Sequence, residues 1–242
     1  MGLQGKTAVI IGGASGFGAG IARALAEAGV RVMIGDPDGP AAAMLAQEIN
    51  GLWAQVDPAQ NSAVGALAYK AADQWGDIDI LVTAYQPHSP AKPLDEWTEA
   101  EFDGCVQAQT KPLFLAARHF VPAMKARRIG AFLTVLGPAK SHAPWPDAMR
   151  GWGAAAVKAM AQELGPFGIR VNALSILVDT SPVLPSFLGG KKNEDRARKL
   201  SAIPLGRFSL PDDLGQAAAF LCSDAANLIT GTVLNVDGGA GL

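Results

Sequence analysis

Apolar positions along this chain follow two alternating rhythms. Short continuous runs such as "KTAVIIGG" and "IDILVTA" have the length and β-branched content of buried strands. Between them lie longer stretches, such as "GFGAGIARALAEAG", whose apolar residues recur every three or four positions, as on a helix with one covered face. The predicted strands are "KTAVIIGG", "VRVMIGD", a weaker "GLWAQVD", "IDILVTA", "IGAFLTVLG", "IRVNALSIL" and "GTVLNVDGG". The helices between them are "GFGAGIARALAEAG", "DGPAAAMLAQEI", "NSAVGALAYKAADQWG", the long "EAEFDGCVQAQTKPLFLAARHFVPAMKA" with Pro112 inside it, and "GWGAAAVKAMAQELGPFG", whose pattern extends back over "AMRGWGAAAVKAM", residues 148–160. A loop and helical region fills 179–222.

Continuous apolar strands separated by helices predict an α/β fold: one doubly wound domain over residues 1–242, with a mostly seven-stranded parallel sheet flanked by helices. No composition shift marks a linker. The stretch "SPVLPSFLGGKKNEDRARKL" at 181–200 is too short for a domain and is expected to form a substrate lid over the carboxyl end of the sheet. Within it "KKNEDRARK", 191–199, mixes both signs of charge, as on a solvated helix face.

The net charge of −2 argues against a nucleic-acid partner, which a basic excess would favour. No uncharged apolar stretch is long enough to cross a membrane, and the start lacks the pattern of a secretory leader. Cys105 and Cys222 have no CxxC partner, so buried free thiols in a reducing, cytoplasmic setting are expected, and no metal site.

The segment "IIGGASGFGAG" places Gly12, Gly16 and Gly18 between the first strand and the first helix. Gly12 permits a tight turn, and Gly16 and Gly18 leave room for a pyrophosphate at the helix N-terminus, where the amides of the Ser15–Gly16–Phe17–Gly18 run favour a dianion. Asp36 ends the second strand, where its carboxylate can accept from adenine ribose hydroxyls and repel a 2′-phosphate; Pro37, not arginine, follows. NAD is therefore expected over NADP. The competing role for Asp36 is a helix cap. Asp57, ending the third strand, either accepts from the adenine amine or caps the helix after Pro58.

With these residues the chain resembles the short-chain dehydrogenase/reductase superfamily over nearly its whole length. "GGASGFG" is similar to the family's nucleotide loop, "GPFGIRVNALS" to the segment entering the sixth strand, including Asn172, and "IPLGRFSLPDDLGQAAAFLCSDAANLITGTVLNVDGG" to its C-terminal part. The resemblance implies one Rossmann domain, a bound nicotinamide nucleotide, and a homo-oligomer, tetramer or dimer, built through the helices after strands four and five.

It also implies four catalytic groups: a tyrosine as acid/base, a lysine four residues on that lowers its pKa and holds the nicotinamide ribose, a serine at the substrate oxygen, and an asparagine in the long helix. Counting back without a gap places Arg150 at the lysine and Pro146 at the tyrosine. The serine falls on Leu136 or Gly137 and the asparagine on Gln109. The family's "NNAG" becomes Thr83, Ala84, Tyr85 and Gln86, and its Pro-Gly turn after strand six is replaced around Ile176 and Leu177. Tyr69 and Tyr85 are the chain's two tyrosines, and four residues before Lys158 stands Ala154, so no register supplies the tyrosine–lysine pair.

Arg150 can grip ribose hydroxyls but cannot give up a proton near neutral pH. In the loop "GPAKSHAPWPDAM", 137–149, His142 is the candidate acid/base, with Lys140 and Ser141 beside it; the competing reading of His142 is a surface side chain. Asp147 is read as a cap of the helix carrying Arg150. Tyr85 either offers substrate a hydroxyl or fills the nicotinamide pocket, with His88 nearby. Trp145 and Trp152 either stack on a flat substrate or pack against neighbours. Asp179 and Thr180 resemble the family's nicotinamide-amide contact. Three functions fit: an atypical NAD-linked oxidoreductase on a small carbonyl or hydroxyl compound, a redox-neutral enzyme on the same scaffold, and a nucleotide-binding homologue without catalysis.

Overall fold

The structure, a computed structural model, describes residues 2–85, 93–137, 144–177 and 200–242. Strands and helices alternate: β1 (Thr7–Ile11), α1 (Gly16–Glu27), β2 (Arg31–Asp36), α2 (Gly39–Glu48), β3 (Leu52–Gln55), α3 (Asn61–Trp75), β4 (Ile80–Thr83), α4 (Glu99–Arg127), β5 (Gly130–Leu136), α5 (Pro144–Leu164), β6 (Ile169–Ile176), α6 (Pro211–Cys222) and β7 (Val233–Val236). The strands form a seven-stranded sheet in the order β3-β2-β1-β4-β5-β6-β7, every pair parallel. This is the doubly wound α/β architecture that the alternating pattern predicts. β1 pairs with both β2 and β4, so the winding reverses there and a crevice opens beyond the carboxyl ends of the two.

β1, β2, β4, β5 and β6 bury both faces, which is why their runs read as continuous rather than alternating, while the edge strands β3 and β7 are partly exposed. In β1, Ala8 and Ile10 join the layer under α1, α2 and α6, while Val9 and Ile11 join the layer under α3, α4 and α5. The seam between α1 and α6 is backbone against backbone. A Cβ at Gly20 would collide with the Pro211 carbonyl, and one at Gly215 would lie 2.6 Å from the Gly20 carbonyl oxygen.

Two elements differ from the sequence pattern. α4 carries Pro122 as well as Pro112 and still runs unbroken, entered through a capping box in which the Thr98 hydroxyl accepts from the Glu101 amide (3.3 Å) and the Glu101 carboxylate from the Thr98 amide (2.8 Å). α5 begins at Pro144, so the latter part of the expected 137–149 loop is helical. Asp147 is therefore on the first turn of α5 rather than ahead of it as a cap, where its charge still favours the helix dipole. The expected lid at 181–200 and the charged face at 191–199 lie outside the described residues, except Leu200. Among the described residues no helix is long and apolar enough to cross a membrane.

At the amino ends of the strands, Asp79 gathers the Thr7 amide (2.9 Å) and hydroxyl (3.2 Å) and an Arg127 Nη2 donor (2.9 Å). Burial pushes this carboxyl up, but the Thr7 amide, the Arg127 guanidinium and the Thr7 hydroxyl together hold it below the ordinary aspartate value.

Two outcomes follow from these contacts. Gly20→Ala should destabilise by about 1–3 kcal/mol, by overpacking against Pro211, although alanine is the better helix former; thermal or denaturant unfolding measures the sign. Because Asp79 titrates lower in the folded chain, its contribution is complete above the unfolded-state pKa and is lost as pH falls through the folded value. Unfolding midpoints of Asp79→Ala and the parent should accordingly converge on acidification, and a constant gap would contradict the assignment.

Candidate functional site

The carboxyl ends of β1 and β2 build the first half of the crevice. Gly12 turns the chain out of β1 at φ +81°, its amide donating to the Gly35 carbonyl (2.8 Å), and a Cβ there would strike the Tyr85 backbone. Gly18 has no room for a Cβ against the Gly12 carbonyl, which draws α1 directly behind the turn. Gly16, at φ +52°, faces open space. Ser15 is the N-cap of α1, yet its hydroxyl makes no cap bond, and the first turn holds no acidic residue. Among the described residues the first amides of α1 thus receive no side-chain cap from Ser15 or from an acidic first turn. Phe17, half-buried, packs on the core beneath them.

Asp36, 8 % exposed, accepts from the Ala14 amide (3.0 Å) and the Asp38 amide (2.9 Å). It ties the glycine loop to the end of β2, a role the sequence did not suggest. The helix cap there is Asp38, which accepts from the Ala41 amide (3.0 Å), so the capping alternative for Asp36 is corrected. Asp57 is exposed and accepts from the Ala59 amide (2.9 Å), closing a turn before Gln60, which holds the N-cap position of α3 without a side-chain cap bond. Its helix-capping alternative is corrected likewise.

The second half lies past β4 and β5. A cavity of about 20 Å³, room for one water-sized occupant, is lined by Thr83, Tyr85, Gln109, Thr134, Gly137 and Arg150 with apolar walls from Pro112, Leu113 and Met149. Thr83 donates its hydroxyl to Thr134 (2.8 Å), pinning the two strand ends together. Arg150 Nη2 donates to the Ser175 hydroxyl (3.2 Å), which donates to the Gly137 carbonyl (3.2 Å). Arg150 Nε is buried and makes no hydrogen bond with a described residue. Gln109 projects from α4, its amide nitrogen 3.6 Å from Cys105 Sγ. Tyr85 lines the same cavity with its phenol pushed above the usual value, first by burial, then by the Asp57 and Asp36 carboxylates. That shift suits a hydrogen-bond donor and opposes a base.

Three of the four candidate catalytic residues, Tyr85, Gln109 and Arg150, therefore meet at one cavity, beside the turn that carries Gly12. The fourth, His142, lies outside the described residues, as do Thr180, Asp179, Lys140, Ser141, Gln86 and His88. Trp145 packs edge-on to Phe102 (5.0 Å between centroids), and Trp152 is exposed. Tyr69 is exposed on α3. Sequence reasoning missed Thr83 and Thr134 as cavity-lining hydroxyls and Ser175 as the partner of Arg150. The signal available was a hydroxyl residue near the carboxyl end of each of three mainly apolar strands. Cys105 and Cys222 are buried free thiols, and burial pushes the Cys222 thiol up to about 12.

Residues 12–241 match the family described as enoyl-(acyl carrier protein) reductase. The chain is 32 % identical over 252 residues to 4-formylbenzenesulfonate dehydrogenase of Comamonas testosteroni, covering 99 % of each chain. It is 32 % identical over 244 residues to cis-4-hydroxycyclohexanecarboxylate dehydrogenase of Sinomonas cyclohexanicum, covering 97 % of this chain and 96 % of the relative. Among solved structures, 3-ketoacyl-(acyl-carrier-protein) reductase from Brucella melitensis complexed with NADH superposes with a TM-score of 0.89 at 34 % identity, covering 99 % of this chain and all of that one (100 %).

Asp36→Ala leaves two loop amides without their acceptor and is expected to lower stability by roughly 1–3 kcal/mol. Amide exchange should then quicken at Ala14 and Asp38 before it does elsewhere; uniform exchange across the chain would deny the loop-tying role.

Proposed function

This chain belongs to the short-chain dehydrogenase/reductase superfamily, and on that footing we propose that it is an NAD(H)-linked oxidoreductase acting on a small carbonyl or hydroxyl compound without the family's usual serine, tyrosine and lysine. The observation that carries the reading is the first turn of α1: amides without a side-chain cap, beneath a glycine turn that no Cβ fits, with open space over Gly16. That cradle fits a pyrophosphate. Gly12, Ser15, Gly16, Phe17 and Gly18 would hold it, with Asp36 and Asp57 on the adenosine side and Arg150 and Thr180 on the nicotinamide side. The buried Asp36 carboxylate favours a ribose hydroxyl over a 2′-phosphate. The NADH complex of the Brucella melitensis relative and the names of the two dehydrogenases support the same assignment.

A bound nicotinamide would supply hydride transfer. The chain's own part is to orient the reactants and manage one proton. Arg150 occupies the lysine's place and can hold ribose hydroxyls as a fixed cation. Tyr85 and Gln109 can donate hydrogen bonds to a substrate oxygen, and His142 is the group whose ordinary pKa suits proton transfer near neutrality. We further infer a cytoplasmic homo-oligomer formed through α4 and α5, where Phe114 (55 % exposed) and Trp152 (40 %) leave apolar surface uncovered. The second reading, a nucleotide-binding homologue without turnover, is favoured by the narrowness of the cavity beside Tyr85.

Fluorescence titration with NADH and NAD+ tests the shared premise. Saturable binding is expected, and Gly18→Val should abolish it by pushing α1 off the turn; no binding by the parent would remove both readings. A panel of small aldehydes and ketones with NADH separates them. Turnover that falls at least tenfold in His142→Ala favours the oxidoreductase, whereas binding without turnover across the panel favours the second reading.

A further inference from the structure

We propose that the cavity among β4, β5, α4 and α5 binds one compact monoanion on the guanidinium of Arg150, either a free ion or the carboxylate of a substrate. The inference goes beyond the oxidoreductase reading, since the site needs neither nucleotide nor turnover.

Charge is the first argument. Arg23, Arg127 and Arg207 each face a carboxylate at salt-bridge distance. Arg170, also half-buried, donates to the Leu221 and Ser223 carbonyls. Among the described residues Arg150 has neither arrangement. Its hydrogen bond among the described residues is to Ser175, a neutral and wholly buried hydroxyl that passes its own proton to a backbone carbonyl. No described residue lining the cavity is acidic, and none of them offers the cation a counter-charge. A charge taken out of water without a partner is costly, and an anion in the cavity relieves it.

Donor geometry is the second argument. Arg150 Nε, buried and without a hydrogen bond to a described residue, belongs to a residue on the cavity wall. Gln109 and Tyr85 line the same space with groups able to donate, and the Tyr85 phenol stays protonated at neutral pH. A cation and neutral donors around one small space suit an anion and oppose a metal ion. Size is the third. About 20 Å³ accepts a monatomic ion or one end of a carboxylate, and phosphate is too large for it. A guanidinium offers separate edges, so a ribose contact at Nη1 and an anion at Nε do not compete.

The test uses the full chain without nucleotide, with bromide and formate as probes. Both should raise the unfolding temperature in a saturable way, and Arg150→Gln should weaken that protection roughly tenfold or more. Gln109→Leu, which keeps the cation, should weaken it less and guards against a misfolded arginine variant. A crystal soaked in bromide should give an anomalous peak at hydrogen-bond distance from Arg150 Nε. Equal protection of parent and Arg150→Gln, or bromide at the surface with water alone in the cavity, overturns the proposal. The source of the anion follows from kinetics with NADH and a pair of aldehydes, benzaldehyde and 4-carboxybenzaldehyde. Formate raising KM for the carboxylated aldehyde alone supports a substrate carboxylate; saturable binding that moves neither KM supports a free ion. Failure to turn over either aldehyde counts against the oxidoreductase reading and leaves the thermal and crystallographic results intact.

Discussion

The close approach of two backbones, at Gly18 and the Gly12 carbonyl, is the constraint on which the candidate site depends. It sets α1 directly behind the turn leaving β1, so the helix's first amides open onto the crevice at the winding reversal between β2, β1 and β4. Asp36 fastens the same loop from the β2 side through the Ala14 amide. The Tyr85 backbone closes it from the β4 side, leaving no space for a Cβ on Gly12. Three consecutive positions in the sheet order thus meet at one turn. Arg150 reaches the far end of that crevice from α5, braced by the Ser175 hydroxyl of β6.

The fold was legible because the inner strands bury both faces. Runs such as "IDILVTA" had to be strands of a covered parallel sheet, and the helices between them supply the cover. The glycine loop was legible for a related reason, since a triplet of glycines between a buried strand and an amphipathic helix has a steric purpose that composition exposes. Helix boundaries were less so. Pro144 and Pro146 suggested a loop, but the first turn of a helix has no need of those amide hydrogens, and α5 starts there. Pro122 passed unremarked inside α4, whose 29 residues tolerate two prolines because neighbouring turns and the packed apolar face hold the helix.

The site was legible in part. Tyr85, Gln109 and Arg150 were found by position against a family pattern, and they converge. What position could not give was partnership. Nothing in "IRVNALSIL" says that Ser175 braces a guanidinium from α5, or that Thr83 and Thr134 would bond across two strands. Those contacts depend on registers, Thr83 opposite Thr134 among them, that hydrophobic runs leave undetermined. Asp36 shows the converse. Its location was plain, but its oxygens serve the chain's own amides, so its influence on a ligand is exerted through the loop it holds as well as through its charge.

The glycine seam between α1 and α6 has a consequence for synthesis. α1 ends at Glu27, yet the neighbour it packs against backbone to backbone begins only at Pro211. A nascent chain therefore holds α1 with one flank bare until α6 emerges. Contacts so distant in sequence form late and slowly. The crevice at β1 cannot acquire its final rigidity before α6 has emerged, and a ribosome-bound chain shortened before α6 would carry the glycine loop without the packing that steadies it.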